Sequence, residues 1–379
     1  MKNTHLPTGW QEVKLGDIAT IIKVKNKENK NYPVLSNSAI YGVVLQEEYF
    51  YKKIASKNDT TNYYIVDIGN FIYNPRISEN APAGPINVNK LTKGIVSPLY
   101  TVFYVKKEYS DFIAFYLSSS LWVNYLKEIA NYGARYDRLG INDKMLLSIP
   151  ILLPPLEEQK RIAEVLSLCD DIIENLTELI DKKEQYKKGV MQRLLSGEVR
   201  FKGFTDEWQT VRLGDILSYE QPNNYIVKND EYNNKYECPV LTAGKTFVLG
   251  YTNEKFGIYN EIPVIIFDDF TTETKYVNFP FKVKSSAIKI LSSNKCNLKL
   301  IYELIKMIKF NAESHKRYWI SEYQYLEIKI PKSIEEQKKI AGLLSLIDED
   351  IENLKKQLEL RKQQKKGLMQ RLLTGEVRI

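Results

Sequence analysis

Two short runs of this 379-residue chain look at first like parts of enzyme active sites. A Gly-Lys-Thr run at 244–246 ends like a phosphate-binding P-loop, but that loop needs a second glycine where Pro239 stands. An Asn-Pro-Arg run at 74–76 begins like the Asn-Pro-Pro-aromatic motif of amino-methyltransferases. Its third residue is arginine, and no glycine-rich fingerprint for a methyl donor follows a strand. Neither nucleotide binding nor methyl transfer is therefore predicted.

Metal-dependent chemistry has equally weak support. The Glu-x-Lys triplets at 273–275 and 327–329 could serve a Mg²⁺-dependent nuclease, but such triplets are common in a chain rich in lysine and glutamate. The three cysteines lie far apart, and the chain has only two histidines. These counts exclude a disulfide framework, a cysteine-based zinc site and a histidine-rich metal site. No catalytic or metal-ligating residue is assigned.

Composition points to a globular protein with several domains. The chain has 44% hydrophobic residues, 54 Lys and Arg against 47 Asp and Glu, and a net charge of +7. This mild excess of positive charge permits nucleic acid as a partner without requiring it. No apolar run reaches the roughly 18 residues of a membrane span, and the N-terminus lacks the apolar core of a secretory signal. We expect a cytoplasmic protein without a membrane partner.

The strongest signal is an internal repeat. Residues 157–201 and 335–379 align without a gap at a constant offset of 178, and 27 of their 45 positions are identical. A shorter motif, Trp-Gln-x-Val-(Lys/Arg)-Leu-Gly-Asp-Ile, opens each half at 10–18 and 208–216. Repeats this long indicate a duplicated domain rather than solenoid units, whose period is about 20–50 residues.

Each repeat is predicted to be one long helix, because its apolar residues recur at steps of four and three, the heptad pattern of a coiled coil. The seam residues are Ile162, Leu166, Ile173, Leu176 and Ile180 in the first copy and Ile340, Leu344, Ile351, Leu354 and Leu358 in the second, and Cys169 and Ile347 occupy the intervening step of each copy. The seam turns polar at Lys183 and Lys187 and at Arg361 and Lys365. Two copies related by a pseudo-two-fold axis would pair as antiparallel helices. The alternative is an amphipathic helix packed on its own domain.

The repeat divides the chain into alternating globular and helical segments, which predicts an α+β fold. The segments are 1–156 (globular), 157–201 (helical), 202–334 (globular) and 335–379 (helical). Each globular segment has strand-like runs first, and then a helical stretch at about 110–129 or 298–310. Each closes on an apolar strand-like run, at 146–153 or 325–330.

The repeated blocks resemble those of the specificity subunits of type I restriction-modification systems. The resemblance rests on LEEQKRIA at 156–163 and KKGVMQRLLSGEVRF at 187–201, on their second copies at 334–341 and 365–379, and on the opening motif of each half. It covers the whole chain. The second copy departs from the first at 331–334, where Pro-Lys-Ser-Ile replaces Leu-Pro-Pro-Leu.

The resemblance implies a DNA-reading subunit without catalysis of its own. The two globular segments would be target recognition domains, each reading one half of a bipartite site in double-stranded DNA. The helices would form an antiparallel coiled coil that sets the spacing between half-sites and docks two modification (methyltransferase) subunits. Restriction (endonuclease and translocase) subunits would join them. S-adenosylmethionine, ATP and Mg²⁺ would be bound by those partners.

Candidate DNA contacts follow from residue type. Arginine can bind guanine through two hydrogen bonds or hold a phosphate, while tyrosine and tryptophan can pack on a sugar or base. The stretches 131–138 and 314–319 are rich in these residues, and Arg138 and Arg317 each precede an isoleucine by three positions, which suggests equivalent loops. The candidates are Arg135, Tyr136, Arg138, Lys316, Arg317, Tyr318, Trp319 and, outside these stretches, Arg76 and Lys245.

Three alternatives remain open. The candidate arginines could pair with nearby carboxylates such as Asp137 or Glu322 instead of DNA. The chain could be a self-sufficient Mg²⁺-dependent nuclease that uses the Glu-x-Lys triplets. It could also be a coiled-coil scaffold that binds other proteins through both halves.

Overall fold

A computed structural model describes residues 6–49, 60–131, 137–242, 246–312 and 316–379. The helices are α1 (Leu15–Ile18), α2 (Gln46–Tyr49), α3 (Ser110–Ser118), α4 (Val123–Ile129), α5 (Asp143–Leu147), α6 (Leu156–Leu195), α7 (Leu213–Ile216), α8 (Leu298–Met307), α9 (Tyr318–Ser321) and α10 (Ile334–Leu373). Short 3₁₀ turns are present at Pro222–Tyr225 and Tyr323–Tyr325.

The strands are short and are distributed over both halves of the chain. They are β1 (Gln11–Lys14), β2 (Ala19–Ile22), β3 (Leu35–Ser38), β4 (Gly42–Leu45), β5 (Tyr64–Val66), β6 (Phe71–Tyr73), β7 (Ile86–Val88), β8 (Gly94–Val96), β9 (Thr101–Val105), β10 (Pro150–Leu153), β11 (Gln209–Arg212), β12 (Ser218–Glu220), β13 (Cys238–Leu241), β14 (Val248–Thr252), β15 (Val264–Asp268), β16 (Thr274–Val277), β17 (Lys282–Val283), β18 (Ile288–Ser292) and β19 (Glu327–Ile330).

The chain folds into two compact units that do not follow the order of the sequence. Unit 1 consists of residues 1–177 and 356–379, and unit 2 consists of residues 178–355. Each unit therefore combines one globular segment with about half of α6 and half of α10. The hydrophobic core of unit 1 includes residues of both helices, and so does the main core of unit 2.

The two units contain the same central sheet. Its four antiparallel strands have the order β2-β9-β6-β7 in unit 1 and β12-β18-β15-β16 in unit 2. A separate antiparallel pair joins the start of each globular segment to its end, β1 with β10 and β11 with β19. The opening motif supplies the first strand of this pair and the helical turn after it, α1 or α7. The sequence duplication is thus a duplication of this frame.

The long helices run antiparallel within each unit, and ion pairs at the polar positions of the seam join them. In unit 1, Lys365 pairs with Asp170. In unit 2, Lys187 forms the equivalent pair with Asp348, and Lys183 adds a second contact of 2.6 Å to Asp350. Polar residues at seam positions favour one register and one orientation of paired helices. The antiparallel helices and the mixed α and β content confirm the predicted fold class.

The apolar seam positions are the shielded face of each helix. Ile162, Leu166, Ile340 and Leu344 are at most 1% exposed, and they lie in the cores of their own units. Ile180 and Ile351 are also buried. The remaining seam residues, Ile173, Leu176, Leu354 and Leu358, are partly exposed, whereas their immediate neighbours in the helices are exposed. The heptad pattern therefore marks the face that is withdrawn from water.

An ion pair with a buried glutamate joins the start of one long helix to the segment after the end of the other. In unit 1, Arg378 donates from Nε and Nη2 to the two carboxylate oxygens of Glu158, at 3.0 and 2.7 Å. In unit 2, Arg200 makes the same bidentate contact with Glu336, at 2.8 and 2.7 Å. The two glutamates are only 7% and 1% exposed. Trp10 adds a hydrogen bond from Nε1 to Glu158 in unit 1, at 3.2 Å.

Two other repeated residue types shape this junction. Gln159 and Gln337 donate from Nε2 to the carbonyls of Pro154 and Pro331, which ties each helix start to the strand before it. Past the other helix end, Gly375 adopts a left-handed φ of +73°. A Cβ at this glycine would lie 2.5 Å from Cγ of Pro7, so the turn that leads to the arginine needs glycine. The repeated Glu-Gln and Gly-Glu-Val-Arg sequences are therefore the two sides of one junction.

Glu158→Gln is expected to lower the Tm by about 2–4 °C at neutral pH, because the bidentate contact with Arg378 is lost. The hydrogen bond from Arg378 lowers the pKa of Glu158 below its ordinary value of 4.5, although burial acts in the opposite direction. The ion pair therefore stabilises the fold above about pH 4.5, and this contribution is lost as the pH falls through the folded-state pKa. Thermal unfolding at a series of pH values measures both effects.

The matched control is Glu157→Gln, since Glu157 is an exposed neighbour that pairs with Lys160 on the same helix. The control should leave the Tm nearly unchanged. Equal effects of the two substitutions would contradict a stabilising role for the junction.

Candidate nucleic-acid interface

The connection after β6 brings two candidate arginines of unit 1 together. Arg76 lies in this connection, and Arg138 is its direct partner in an isolated antiparallel bridge. Backbone hydrogen bonds of 3.0 and 3.1 Å join residues 75–77 to residues 137–139. Directly opposite residues of an antiparallel pair point to the same face. Both arginine side chains therefore leave this ribbon from one face.

One carboxylate lies between the two arginines. Oδ2 of Asp137 is 3.7 Å from Nε of Arg76 and 3.6 Å from Nε of Arg138. The side chain of Arg76 is 63% exposed and that of Arg138 is 23% exposed. The cluster therefore carries one net positive charge at the surface, and the pairing with Asp137 that the sequence left open is present.

An equivalent construction occurs in unit 2. β15 has the same place in its sheet as β6, and the residue that follows it is Asp269. The backbone N–H of Tyr318 donates to the carbonyl of Asp269, and that of Trp319 donates to its Oδ1, both at 2.9 Å. The segment that begins at Lys316 is thus hydrogen-bonded to the connection after β15. Residues 137–139 are hydrogen-bonded to the connection after β6 in the same way. This places Arg317 where unit 1 has Arg138, and Lys316 where unit 1 has Asp137.

The basic residues of this second segment differ in their contacts. Arg317 is exposed, and its guanidinium forms no hydrogen bond or ion pair with any residue that the structure describes. Lys316 pairs with Glu322, and this hydrogen bond raises the pKa of the lysine. Of the basic residues described in this segment, Arg317 is therefore the one whose donors no described residue uses.

Tyr318 and Trp319 do not lie on the surface, contrary to the prediction that they contact DNA. Each is 1% exposed. The Trp319 ring packs edge-on against Phe267, with centroids 5.3 Å apart, and Tyr318 packs against Phe310 in the same way and at the same distance. The backbone contacts with Asp269 turn α9 so that both rings face the core. Their role in this structure is to support the segment that carries Arg317.

A buried ion pair that the sequence did not reveal anchors the same segment. Lys289 on β18 is fully buried, and its Nζ lies 3.4 Å from Oδ2 of Asp269, which is 1% exposed. Asp269 in turn holds the backbone of α9. The one available signal was a lysine between two isoleucines, Ile288 and Ile290, in β18. The other three candidates, Arg135, Tyr136 and Lys245, lie outside the described residues.

Comparison with known proteins identifies the family. The family profile described as "Type I restriction modification DNA specificity domain" matches residues 7–185 and 205–362. The chain belongs to this family. It is 44% identical to the EcoR124I/EcoR124II specificity subunit of Escherichia coli over 191 residues, which are 46% of this chain and about half (47%) of that protein. It is 26% identical to the MjaVIII specificity subunit of Methanocaldococcus jannaschii over 100% of this chain and 95% of that protein.

Solved structures of this family share the fold. The S subunit of a type I restriction-modification system from M. genitalium superposes with a TM-score of 0.65 at 16% identity, covering 98% of this chain and 97% of that chain. A chain from a study of complex assembly and conformational transition in a type I system gives 0.52 at 15% identity, covering 99% and 100%. The duplicated frame is thus the fold that these specificity subunits share.

Two further observations concern the described residues alone. None of their helices is both long enough and apolar enough to cross a membrane. Their His, Cys, Asp and Glu side chains form no group of three or more that could hold a metal ion.

Trp319→Phe tests the structural role of this ring. The substitution is expected to destabilise unit 2 by about 0.5–3 kcal/mol, because a smaller ring leaves space in the core. The DNA sequence that the protein recognises should stay the same. Ile320→Ala is the matched control, since Ile320 is an exposed neighbour, and it should leave the Tm nearly unchanged. A changed target sequence with an unchanged Tm would contradict the structural role and indicate that Trp319 contacts DNA.

Proposed function

We propose that this chain is the DNA-reading subunit of a type I restriction-modification complex, in which residues 1–156 and 202–334 each read one half of a bipartite target in double-stranded DNA. The observation that carries this proposal is the arginine segment, by which we mean residues 137–139 in unit 1 and 316–318 in unit 2. It has the same place beside both central sheets, but Arg138 follows an aspartate whereas Arg317 follows a lysine. A duplicated position with different side chains suits two domains that make different contacts with DNA.

The chain itself performs no catalysis in this proposal. Modification (methyltransferase) subunits would bind S-adenosylmethionine, and restriction (endonuclease and translocase) subunits would use ATP and Mg²⁺. The complex would act on DNA in the cytoplasm. The length of the long helices, each of 40 residues, would set the number of unread base pairs between the two half-sites.

The helical repeats offer two copies of one docking surface. Leu168 is 59% exposed on α6, and its equivalent Leu346 is 65% exposed on α10. Both copies also keep an exposed Glu-Asn pair one to two turns further along, at 174–175 and 352–353. These residues are identical in the two repeats although they are exposed to solvent. We assign each copy to one modification subunit, which gives two such subunits per chain.

Leu168→Lys is expected to reduce the stoichiometry from two modification subunits to one, because a lysine disfavours an apolar contact at one copy only. Mass measurement of the assembled complex gives the stoichiometry. The matched control is Leu179→Lys on the same helix, since Leu179 is 40% exposed but Gln357 takes its place in the other repeat. Two bound subunits with Leu168→Lys, or one with the control, would contradict this surface.

Arg317→Ala tests the reading of DNA by unit 2. If Arg317 binds a guanine, its loss should cost about 1–3 kcal/mol at one base position of one half-site and leave the other half-site unchanged. Methylation of a randomised DNA library by the complex of this chain with its modification subunits measures the preference at each position. Arg212→Ala is the control, because Arg212 is exposed on β11, outside the arginine segment. An unchanged profile with Arg317→Ala would exclude a base contact, and methylation without sequence preference by the unaltered complex would refute the proposed function.

A further inference from the structure

The two arginines of unit 1 are arranged as one anion-binding group. Arg76 and Arg138 are direct partners in an antiparallel bridge, so two like charges lie opposite each other. Such pairs destabilise a sheet unless another charge offsets them. Here Oδ2 of Asp137 lies 3.7 and 3.6 Å from the two Nε atoms. A single anionic oxygen therefore already lies between both guanidinium groups.

The contact with Asp137 leaves the arginine donors largely unused. Both distances exceed those of charge-assisted hydrogen bonds, which are about 2.7–2.9 Å. Neither guanidinium donates a hydrogen bond to any other described residue. Asp137 itself is 53% exposed. An ion pair this exposed is weak, so a stronger anion can displace the carboxylate without disturbing the core.

The described residues of unit 2 do not repeat this arrangement. Lys316 takes the position of Asp137. It forms an ion pair with Glu322, the residue that follows α9. The guanidinium of Arg317 forms no hydrogen bond or ion pair with a residue that the structure describes. The Asp137 carboxylate between two arginines is therefore a feature of the described part of unit 1, and the duplicated frame does not require it.

We propose that Arg76 and Arg138 form one clamp for a DNA phosphate, and that Asp137 is an internal counterion which the phosphate must displace. The inference rests on the proposed DNA-reading function and adds a regulator of affinity to it. A phosphate presents anionic oxygens where the Asp137 oxygen now lies, and it can accept from both arginines at once. Asp137 thereby weakens binding to DNA of every sequence, since phosphate contacts carry no base information.

The test is Asp137→Asn in the complex of the full chain with its modification subunits. Binding to a target duplex and to a duplex without the target is measured over a range of salt concentrations. We expect binding to both duplexes to tighten about two- to fivefold, because an exposed ion pair no longer competes. The slope of log K against log salt should steepen by up to about one, because the clamp gains one net charge. The methylated sequence should stay the same.

Two variants distinguish the clamp from a general effect of charge. Glu79→Gln removes an exposed carboxylate from the same connection after β6 and should not tighten binding. In the Arg76→Gln/Arg138→Gln background, Asp137→Asn should have no effect, since the clamp is absent. Equal tightening by Glu79→Gln, or by Asp137→Asn without the arginines, would overturn the inference.

Three further results would also overturn it. These are no change with Asp137→Asn, weaker binding with Asp137→Asn, and a changed base preference in the Arg76→Gln/Arg138→Gln variant, which would make at least one of the two arginines a base reader. Each of these would leave the proposed function standing as long as the unaltered complex still methylates one defined sequence. Failure of the unaltered complex to do so would refute the proposed function itself.

Discussion

A bidentate contact between an arginine and a buried glutamate joins the two long helices at each junction. Arg378 reaches Glu158 in unit 1, and Arg200 reaches Glu336 in unit 2. A carboxylate withdrawn from water is costly unless it is paired and hydrogen-bonded. Each glutamate at the start of one long helix therefore requires the arginine that follows the other. In each unit the glutamate comes from one repeat and the arginine from the other. The two repeats therefore cannot vary independently at these positions.

This constraint explains why the frame is duplicated so closely while the globular segments differ. The helix starts, the Gly-Glu-Val-Arg turns and the opening motifs all contribute to the two junctions or to the strand pairs beside them. The residues beside the central sheets do not. Asp137 next to Arg138 and Lys316 next to Arg317 show how far the surface chemistry can change on one backbone plan. A protein that reads two half-sites needs this combination of a fixed frame and variable surfaces.

The sequence predicted the features that follow from regular spacing. The steps of four and three residues gave both long helices, although α6 begins at Leu156, several residues before the first seam residue. The apolar run at 146–153 was expected to be one strand, but it contains the end of α5 and the strand β10, because Asn142 caps a helical turn by accepting from the backbone of Met145. The expected helix at 110–129 is likewise interrupted between α3 and α4.

The candidate interface was predicted only in part, since it depends on contacts between distant segments. Residue type drew attention to Arg317, and the structure leaves this residue exposed. It could not show that Asp269 turns the next two residues, Tyr318 and Trp319, into the core, because that contact joins positions about fifty residues apart. Nor could it show that Arg76 lies opposite Arg138. Burial and pairing of this kind arise from the packed sheet and leave little trace in local sequence.

A hybrid chain tests whether each globular segment reads one half of the target on a shared frame. Its residues 202–334 come from a relative with a different target, and the methylation pattern of the DNA that its complex modifies is measured. We expect a bipartite methylated sequence in which one half-site is exchanged and the other half-site and the spacing are kept. A change in both half-sites, or loss of a defined target in a hybrid that folds and assembles, would contradict it.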